Sequence, residues 1–141
     1  DRLEAIYRRY GLSLSAQRSV TAPGVEGMRA ITATMDAFRV RPPERLGGRT
    51  IESVKDYQPD PRKGSSTGLP PSNVIAFELA GGSRVTLRPS GTEPKIKYYF
   101  DHREELGPSE SYEAGTRRAQ RNLDELIEDF MQQTASRGGV V

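Results

Sequence analysis

The chain has 141 residues, of which 34% are hydrophobic and 28% charged, and its formal net charge at pH 7 is only +2. That length fits one domain with one core, and so mild a charge does not indicate a nucleic-acid partner. There is no cysteine and His102 is the only histidine, which excludes disulfides, thiolate metal sites and histidine clusters. A cytoplasmic protein is the simplest fit to that composition. No apolar run approaches the roughly 20 residues of a membrane helix, so we expect no membrane contact.

The first element is a short helix. Apolar residues recur at helical spacing across residues 2–10, and Gly11 follows as a stop signal. The chain begins with Asp1 rather than methionine, inside this helical pattern. We therefore expect a fragment, with residues 1–11 as the end of a helix that leads in from a preceding domain.

A strand and a second helix follow. Apolar and polar residues alternate from Leu12 to Val20, which favours a half-buried strand. The next helix must end before Pro42 and Pro43. Its predicted core stripe consists of Val25, Met28, Ile31, Met35 and Phe38.

The middle of the chain combines a weak strand, a loop and a meander. A strand is predicted over residues 50–57, and the proline-rich residues 58–73 read as a flexible loop. Three strands then follow closely, with Gly81 and Gly82 as the first turn. The apolar residues that mark these strands are Ile75, Phe77 and Leu79, then Val85 and Leu87, then Ile96, Tyr98 and Phe100. Alternation puts Tyr98 and Tyr99 on opposite faces, so at most one of them belongs to the core.

The last element is a long helix from about residue 111 to residue 134. Its apolar stripe should lie across the sheet. The pattern as a whole predicts an α+β fold, an antiparallel sheet with helices mainly on one face. We assign residues 12–137 to one domain and residues 138–141 to a tail.

The segment from Arg88 to Lys97, RPSGTEPKIK, has the residue types that bind a phosphate dianion. Arginine offers a planar fork for two phosphate oxygens, and Ser90 and Thr92 add hydroxyl donors. Gly91 would let backbone N–H groups turn towards an anion, and Lys95 and Lys97 add charge. The candidate phosphate ligands are Arg88, Ser90, Gly91, Thr92, Lys95 and Lys97.

An alternative interpretation needs no ligand. Arg88 would pair with Glu93 or another acid, and Ser90 and Thr92 would only cap the turn. The residue types alone leave these two interpretations open.

The string itself resembles the C-terminal phosphate-binding signature of the α-D-phosphohexomutases, the phosphoglucomutase and phosphomannomutase family. The resemblance covers residues 1–130, and further matching segments are Asp56-Tyr57, LPPSNV at 69–74, Gly82-Ser83 and Tyr98-Tyr99-Phe100. These segments resemble the bacterial branch that includes phosphoglucomutase-2 and phosphopentomutase. The resemblance implies a fold similar to the TATA-binding protein, packed against preceding domains of the same chain.

The resemblance also implies a function. The parent enzyme would interconvert hexose 1- and 6-phosphates, or pentose 1- and 5-phosphates, through a bisphosphorylated intermediate. It would use Mg²⁺ and a hexose 1,6-bisphosphate activator, whereas this fragment holds no catalytic residue, metal or cofactor. Its partners would be the phosphosugar substrate and the preceding domains. The fragment alone should bind and not catalyse.

Other candidates are weaker. His102 follows the third meander strand among charged residues and is expected on the surface, and Asp56 and Asp60 are too isolated for a metal site. A free-standing anion-binding or regulatory module is the main rival function. A nucleic-acid-binding domain is the second, disfavoured because no continuous basic stripe with aromatic residues is evident.

Overall fold

The computed structural model of the chain describes residues 2–58 and 72–141. Its elements in chain order are α1 Arg2–Tyr10, β1 Leu12–Thr21, α2 Gly24–Val40, β2 Arg45–Leu46, β3 Arg49–Asp56, β4 Ile75–Leu79, β5 Arg84–Pro89, β6 Lys95–Glu104 and α3 Tyr112–Ser136. Each element expected from the sequence is present. Gly11 ends α1 with a φ of 87°, a left-handed conformation that favours glycine.

The strands form one antiparallel sheet in the order β1-β6-β5-β4-β3-β2. Strands β4, β5 and β6 form the predicted meander, and Gly81 and Gly82 turn its first hairpin with φ of 90° and 92°. β1 runs along β6, with Leu12 opposite Glu104 and Thr21 opposite Lys95. The predicted α+β class is confirmed.

One face of this sheet carries the hydrophobic core, and α2 and α3 pack on it. Period-two alternation turns Ile96, Tyr98 and Phe100 of β6 inward, where all three are fully buried. Phe130 of α3 stacks on Phe38 of α2 with ring centroids 5.4 Å apart, and Tyr98 and Phe100 meet Phe130 edge-on. The opposite face, called the outer face below, carries the alternate side chains of the same strands.

The predicted stripe of α2 is wrong at its first turn. Val25 is 71% exposed and Met28 40% exposed, whereas the other three stripe residues are buried. The inward position of that turn is Gly27, where a Cβ would lie 1.6 Å from the carbonyl oxygen of Ala22. Because the backbone of Ala22 occupies this space, the buried face of α2 begins at a glycine that hydrophobic periodicity does not mark.

The chain after α3 folds back onto the core. The backbone N–H of Val140 donates to Thr34 Oγ1 at 3.0 Å, and the Tyr98 hydroxyl donates to the carbonyl of Val140 at 2.6 Å. Most of the predicted 58–73 loop, residues 59–71, lies outside the described residues, and the domain division stays a prediction. Across residues 2–58 and 72–141, no helix is long and apolar enough to cross a membrane.

Candidate functional site

The predicted phosphate segment lies at the turn between β5 and β6. The paired part of β5 and β6 extends further into the RPSGTEPKIK segment than the sequence suggested. Arg88 pairs with Lys97, and Pro89 pairs with Ile96, in the antiparallel register. The connection itself is therefore only residues 90–94, a common hairpin length. Since Leu87, Ile96 and Tyr98 face the core, Arg88 and Lys97 project from the outer face.

Ser90 organises this turn. Its backbone N–H donates to the carbonyl of Lys95 at 2.8 Å, and its Oγ accepts from the N–H groups of Thr92 and Glu93 at 3.4 and 3.2 Å. The expected turn-capping role of Ser90 is therefore present. The role does not exclude ligand binding, because an accepting hydroxyl keeps its own proton for donation.

Two cationic side chains beside the turn have no partner within the described part of the chain. The guanidinium group of Arg88, an exposed residue, forms no hydrogen bond or ion pair with any residue that the structure describes. The ammonium group of the half-buried Lys97 likewise has no hydrogen-bond or ion-pair partner within the described ranges. Glu93, the expected alternative partner of Arg88, instead lies 3.9 Å from Lys95 Nζ. Two positive groups are thus available at one end of the outer face.

These groups border one cavity of about 450 Å³. It is lined by Arg88, Pro89, Ser90, Gly91, Glu93, Lys95, Lys97 and Tyr99. Five of the six candidate ligands are therefore brought together, and Thr92 is not among the lining residues. The sequence analysis did not assign Pro89 and Glu93 to the site. Tyr99 also lines the cavity, because the alternation that buries Tyr98 turns Tyr99 to the outer face.

Gly91 differs from the expectation. Its φ is not positive, so the left-handed geometry of an anion nest is not present at this residue. A Cβ added there would meet no atom within 4 Å. The fold alone therefore does not require glycine at this position, and the space beside Gly91 is free for a ligand.

His102 lies at the other end of β6 and is not on the surface, so that prediction is wrong. It is 3% exposed, with its Nε2 atom 2.8 Å from Glu104 Oε1 and its Nδ1 atom 3.0 Å from Ser83 Oγ. Glu104, 5% exposed, also accepts hydrogen bonds from Arg49 at 2.9 Å and from Arg118. We call these five residues the charged network.

Burial lowers the pKa of His102 below its usual 6.5, although the hydrogen bond to Glu104 opposes the shift. Burial by itself raises the pKa of Glu104. The hydrogen bonds from Asn122 and His102 and the charges of Arg118 and Arg49 outweigh it, so this pKa lies below 4.5. Near neutral pH the network therefore holds a neutral imidazole and an ionised carboxylate.

Ser83, His102 and Glu104 are the residue types of a catalytic triad, but their burial and hydrogen bonds indicate a structural role. Ser83 is 1% exposed, and its Oγ accepts the backbone N–H of Arg103 at 3.0 Å. The Ser83 hydroxyl can then donate to Nδ1 while Nε2–H donates to Glu104. A serine without access to substrate does not act as a nucleophile, so no catalytic role is assigned to His102.

A metal site finds no support in the part of the chain that the structure describes. No group of three His, Cys, Asp or Glu side chains lies close enough to hold an ion there. Asp56 pairs with Arg39, whose Nε atom lies 2.9 Å from its Oδ2 atom, and Asp60 is outside the described residues. The positive pocket at the 90–94 turn is thus the stronger candidate site.

Comparisons of the sequence with known proteins point to one family. A sequence model described as the C-terminal domain of phosphoglucomutase/phosphomannomutase matches residues 27–105. A phosphoglucomutase of Staphylococcus aureus strain bovine RF122 / ET3-1 is 40% identical over 105 residues, which is 70% of this chain and 19% of that protein. The phosphoglucomutase of strain MRSA252 is 39% identical over the same shares of both chains.

A solved structure is also similar. The open form of pp63/parafusin from Paramecium, a phosphoglucomutase, matches with a TM-score of 0.45 and 16% sequence identity. The match covers 87% of this chain and 21% of that one. The present chain thus spans 19% of the length of the curated relatives that it matches.

Proposed function

This chain belongs to the phosphoglucomutase/phosphomannomutase family as its C-terminal domain, and on that premise we propose that it binds the substrate phosphate in a phosphosugar mutase. The observation that carries the proposal is the pocket at the β5–β6 turn. There the charged groups of Arg88 and Lys97 have no partner among the described residues, and the Ser90 hydroxyl keeps a proton to donate. The proposed phosphate ligands are Arg88, Ser90, Gly91, Thr92, Lys95 and Lys97.

Each ligand contributes a different interaction. The guanidinium of Arg88 presents parallel N–H donors that fit two oxygens of one phosphate, and the lysines add charge without fixed geometry. Ser90 and Thr92 add hydroxyl donors, whereas their backbone N–H groups already donate within the turn. Gly91 leaves the approach open. Pro89 and Pro94 restrict the backbone on both sides of the turn, so less conformational freedom is lost on binding.

In the whole enzyme, the proposed reaction interconverts hexose 1- and 6-phosphates, or pentose 1- and 5-phosphates, through a bisphosphorylated intermediate. The phosphate that is not transferred needs a fixed site in each half-reaction, because positioning and electrostatics dominate phosphoryl-transfer catalysis. The β5–β6 turn would provide that site and supply binding energy remote from the reacting atoms. Mg²⁺ and a sugar bisphosphate activator are proposed for the whole enzyme, and neither is assigned to residues of this chain.

We expect the 141-residue chain alone to bind phosphate without catalysis. The Ser90 hydroxyl at the pocket has no histidine to activate it, because His102, the only histidine of the sequence, is buried between Ser83 and Glu104. Among the described residues, no group of three His, Cys, Asp or Glu side chains could hold a metal ion. Purified chain incubated with glucose 1-phosphate and Mg²⁺ should therefore yield no glucose 6-phosphate above background in a coupled assay. Turnover that increases in proportion to the amount of chain would contradict the expectation that this chain binds phosphate without catalysis.

The proposal is tested by replacing Arg88 in the full-length enzyme. A charge-assisted hydrogen bond contributes about 1.5 to 3 kcal/mol, so Arg88→Ala should lower kcat/KM by roughly 10- to 150-fold. Arg88→Lys keeps the charge but loses the fork, and should remain clearly impaired. The loss should appear with substrate phosphorylated at either end, because the site holds the idle phosphate in both half-reactions.

The control is Arg18→Ala, which removes another exposed arginine, on β1. It should leave kcat/KM unchanged. If Arg88→Ala kept normal kinetics but lowered the melting temperature strongly, Arg88 would be a structural residue and the proposal would fail.

A further inference from the structure

A second cavity continues from the phosphate pocket along the outer face of the sheet. It has a volume of about 520 Å³, within the usual range of small-molecule sites. Arg88 and Tyr99 line both cavities. The lining of the second cavity further includes Arg84, Thr86 and Asp101 of β5 and β6. We call this second cavity the outer groove.

The register of β5 and β6 places residue pairs of different charge along the groove. Moving away from the turn, the cross-strand pairs are Arg88 with Lys97, then Thr86 with Tyr99, then Arg84 with Asp101. The first pair is cationic and the second is uncharged and carries two hydroxyl groups. The third pair holds one charge of each sign, so among these three pairs only the first has a net positive charge.

The middle pair, Thr86 and Tyr99, has hydroxyl groups that can still form hydrogen bonds. The hydroxyl groups of Thr86 and Tyr99 form no hydrogen bond with any residue in the described part of the chain. Beyond them, Arg84 is held by Glu78 at 2.7 Å, and Asp101 Oδ1 accepts from Ser15 at 2.9 Å. As far as the described residues show, the groove therefore offers two hydroxyls without partners and an aromatic ring next to the proposed phosphate site.

This arrangement selects against a second anion and for a neutral polar group. The carboxylate of Asp101 in the groove lining would repel another phosphate, whereas hydroxyl groups of a ligand can donate to and accept from Thr86 and Tyr99. The half-buried ring of Tyr99 offers an apolar surface for carbon-bound hydrogens. We propose that the outer groove binds the hydroxyl-bearing carbon skeleton of a phosphate monoester whose phosphate lies at Arg88. This inference rests on the proposed phosphate site.

The test compares two monoesters with the same charged group. Methyl phosphate has no carbon skeleton to place in the groove, whereas glucose 6-phosphate has one. Titration of the 141-residue chain, followed by amide NMR, should give at least about fivefold tighter binding of glucose 6-phosphate, a difference that two or three new hydrogen bonds readily supply. Only glucose 6-phosphate should shift the amide signals of Thr86 and Asp101.

Two variants assign the difference to the groove. Thr86→Val keeps the shape but removes one hydroxyl, and should reduce the affinity ratio of the two ligands by about threefold. Tyr99→Leu removes the ring and should bring the ratio close to one. The matched control is Gln17→Ala, because Gln17 is the β1 neighbour of Tyr99 but does not line the groove. It should leave the ratio unchanged.

The outcomes separate the two proposals. If both ligands bind at the turn with equal affinity, or if Tyr99→Leu leaves the preference intact, the groove is not a subsite and the phosphate proposal stands. If methyl phosphate and glucose 6-phosphate both fail to bind, the proposed function fails and this inference fails with it.

Discussion

The two ends of strand β6 hold charged residues under opposite conditions. At its start, the side chains of Lys97 and of Arg88 on the neighbouring β5 border the pocket and have no partner in the described chain. Towards its other end, His102 and Glu104 are buried among Ser83, Arg49 and Arg118, and each of their polar atoms has a partner. One end of β6 thus lies beside charges that the fold leaves available, and the other end lies beside charges that the fold uses.

This contrast separates ligand binding from stabilisation. A buried charge must be paired, because desolvation without a partner costs several kcal/mol. An exposed arginine needs no partner and contributes little to stability, so its interactions remain available to a ligand. Substitutions at the two ends should therefore change different measured quantities.

The largest expected effect is on stability, at the buried end. Glu104→Ala leaves His102, Arg49 and Arg118 without their shared acceptor, which should lower the free energy of unfolding by about 3 to 5 kcal/mol. For a chain of this length the melting temperature should fall by about 10 °C or more. Differential scanning calorimetry measures both quantities. The control is Glu105→Ala, since the side chain of Glu105 is 80% exposed, and it should change stability by less than about 0.5 kcal/mol.

If Glu104→Ala and Glu105→Ala melted at the same temperature, the charged network would not stabilise the fold. The contrast between the two ends of β6 would then have no energetic basis.

A smaller effect is expected from pH. The pKa of His102 is lowered in the folded state, so below about pH 6.5 the unfolded chain binds a proton that the folded chain resists. The free energy of unfolding should fall as the pH decreases through that window, and the lowered pKa of Glu104 adds a further loss below about 4.5. His102→Gln should lose less stability between about pH 7.5 and about pH 5.5 than the parent chain.

Urea unfolding at the two pH values measures this difference. An equal loss in both proteins would show that His102 does not titrate differently on unfolding.

The fold was largely predictable from the sequence because local patterns determine it. Period-two alternation marked β4, β5 and β6, and Gly81 and Gly82 marked their first turn. The α2 stripe failed at Val25 and Met28 because the close approach of Gly27 to Ala22 depends on tertiary packing. Hydrophobic periodicity shows which residues share a helix face but not how far the neighbouring chain extends beneath it.

The candidate site was predictable in composition but only partly in geometry. The string from Arg88 to Lys97 identified its residues, whereas the groove beside Tyr99 depends on which strands become neighbours. His102 was misplaced although a signal existed, since it continues the inward alternation of Ile96, Tyr98 and Phe100. The distant partners Arg49 and Arg118 carry no local signal, so the pairing that makes burial possible could not be read from the sequence.

The most direct test is a titration of the 141-residue chain with inorganic phosphate, followed by the amide NMR signals of both ends of β6. Shift changes should concentrate on residues 88–97, saturate in the millimolar range and disappear in Arg88→Ala, whose melting temperature should stay within about 2 °C of the parent's. The signals of Arg49, Glu104 and Arg118 should not move. Shift changes centred on that buried end, or binding that survives Arg88→Ala unchanged, would contradict the assignment of the β5–β6 turn as the phosphate site.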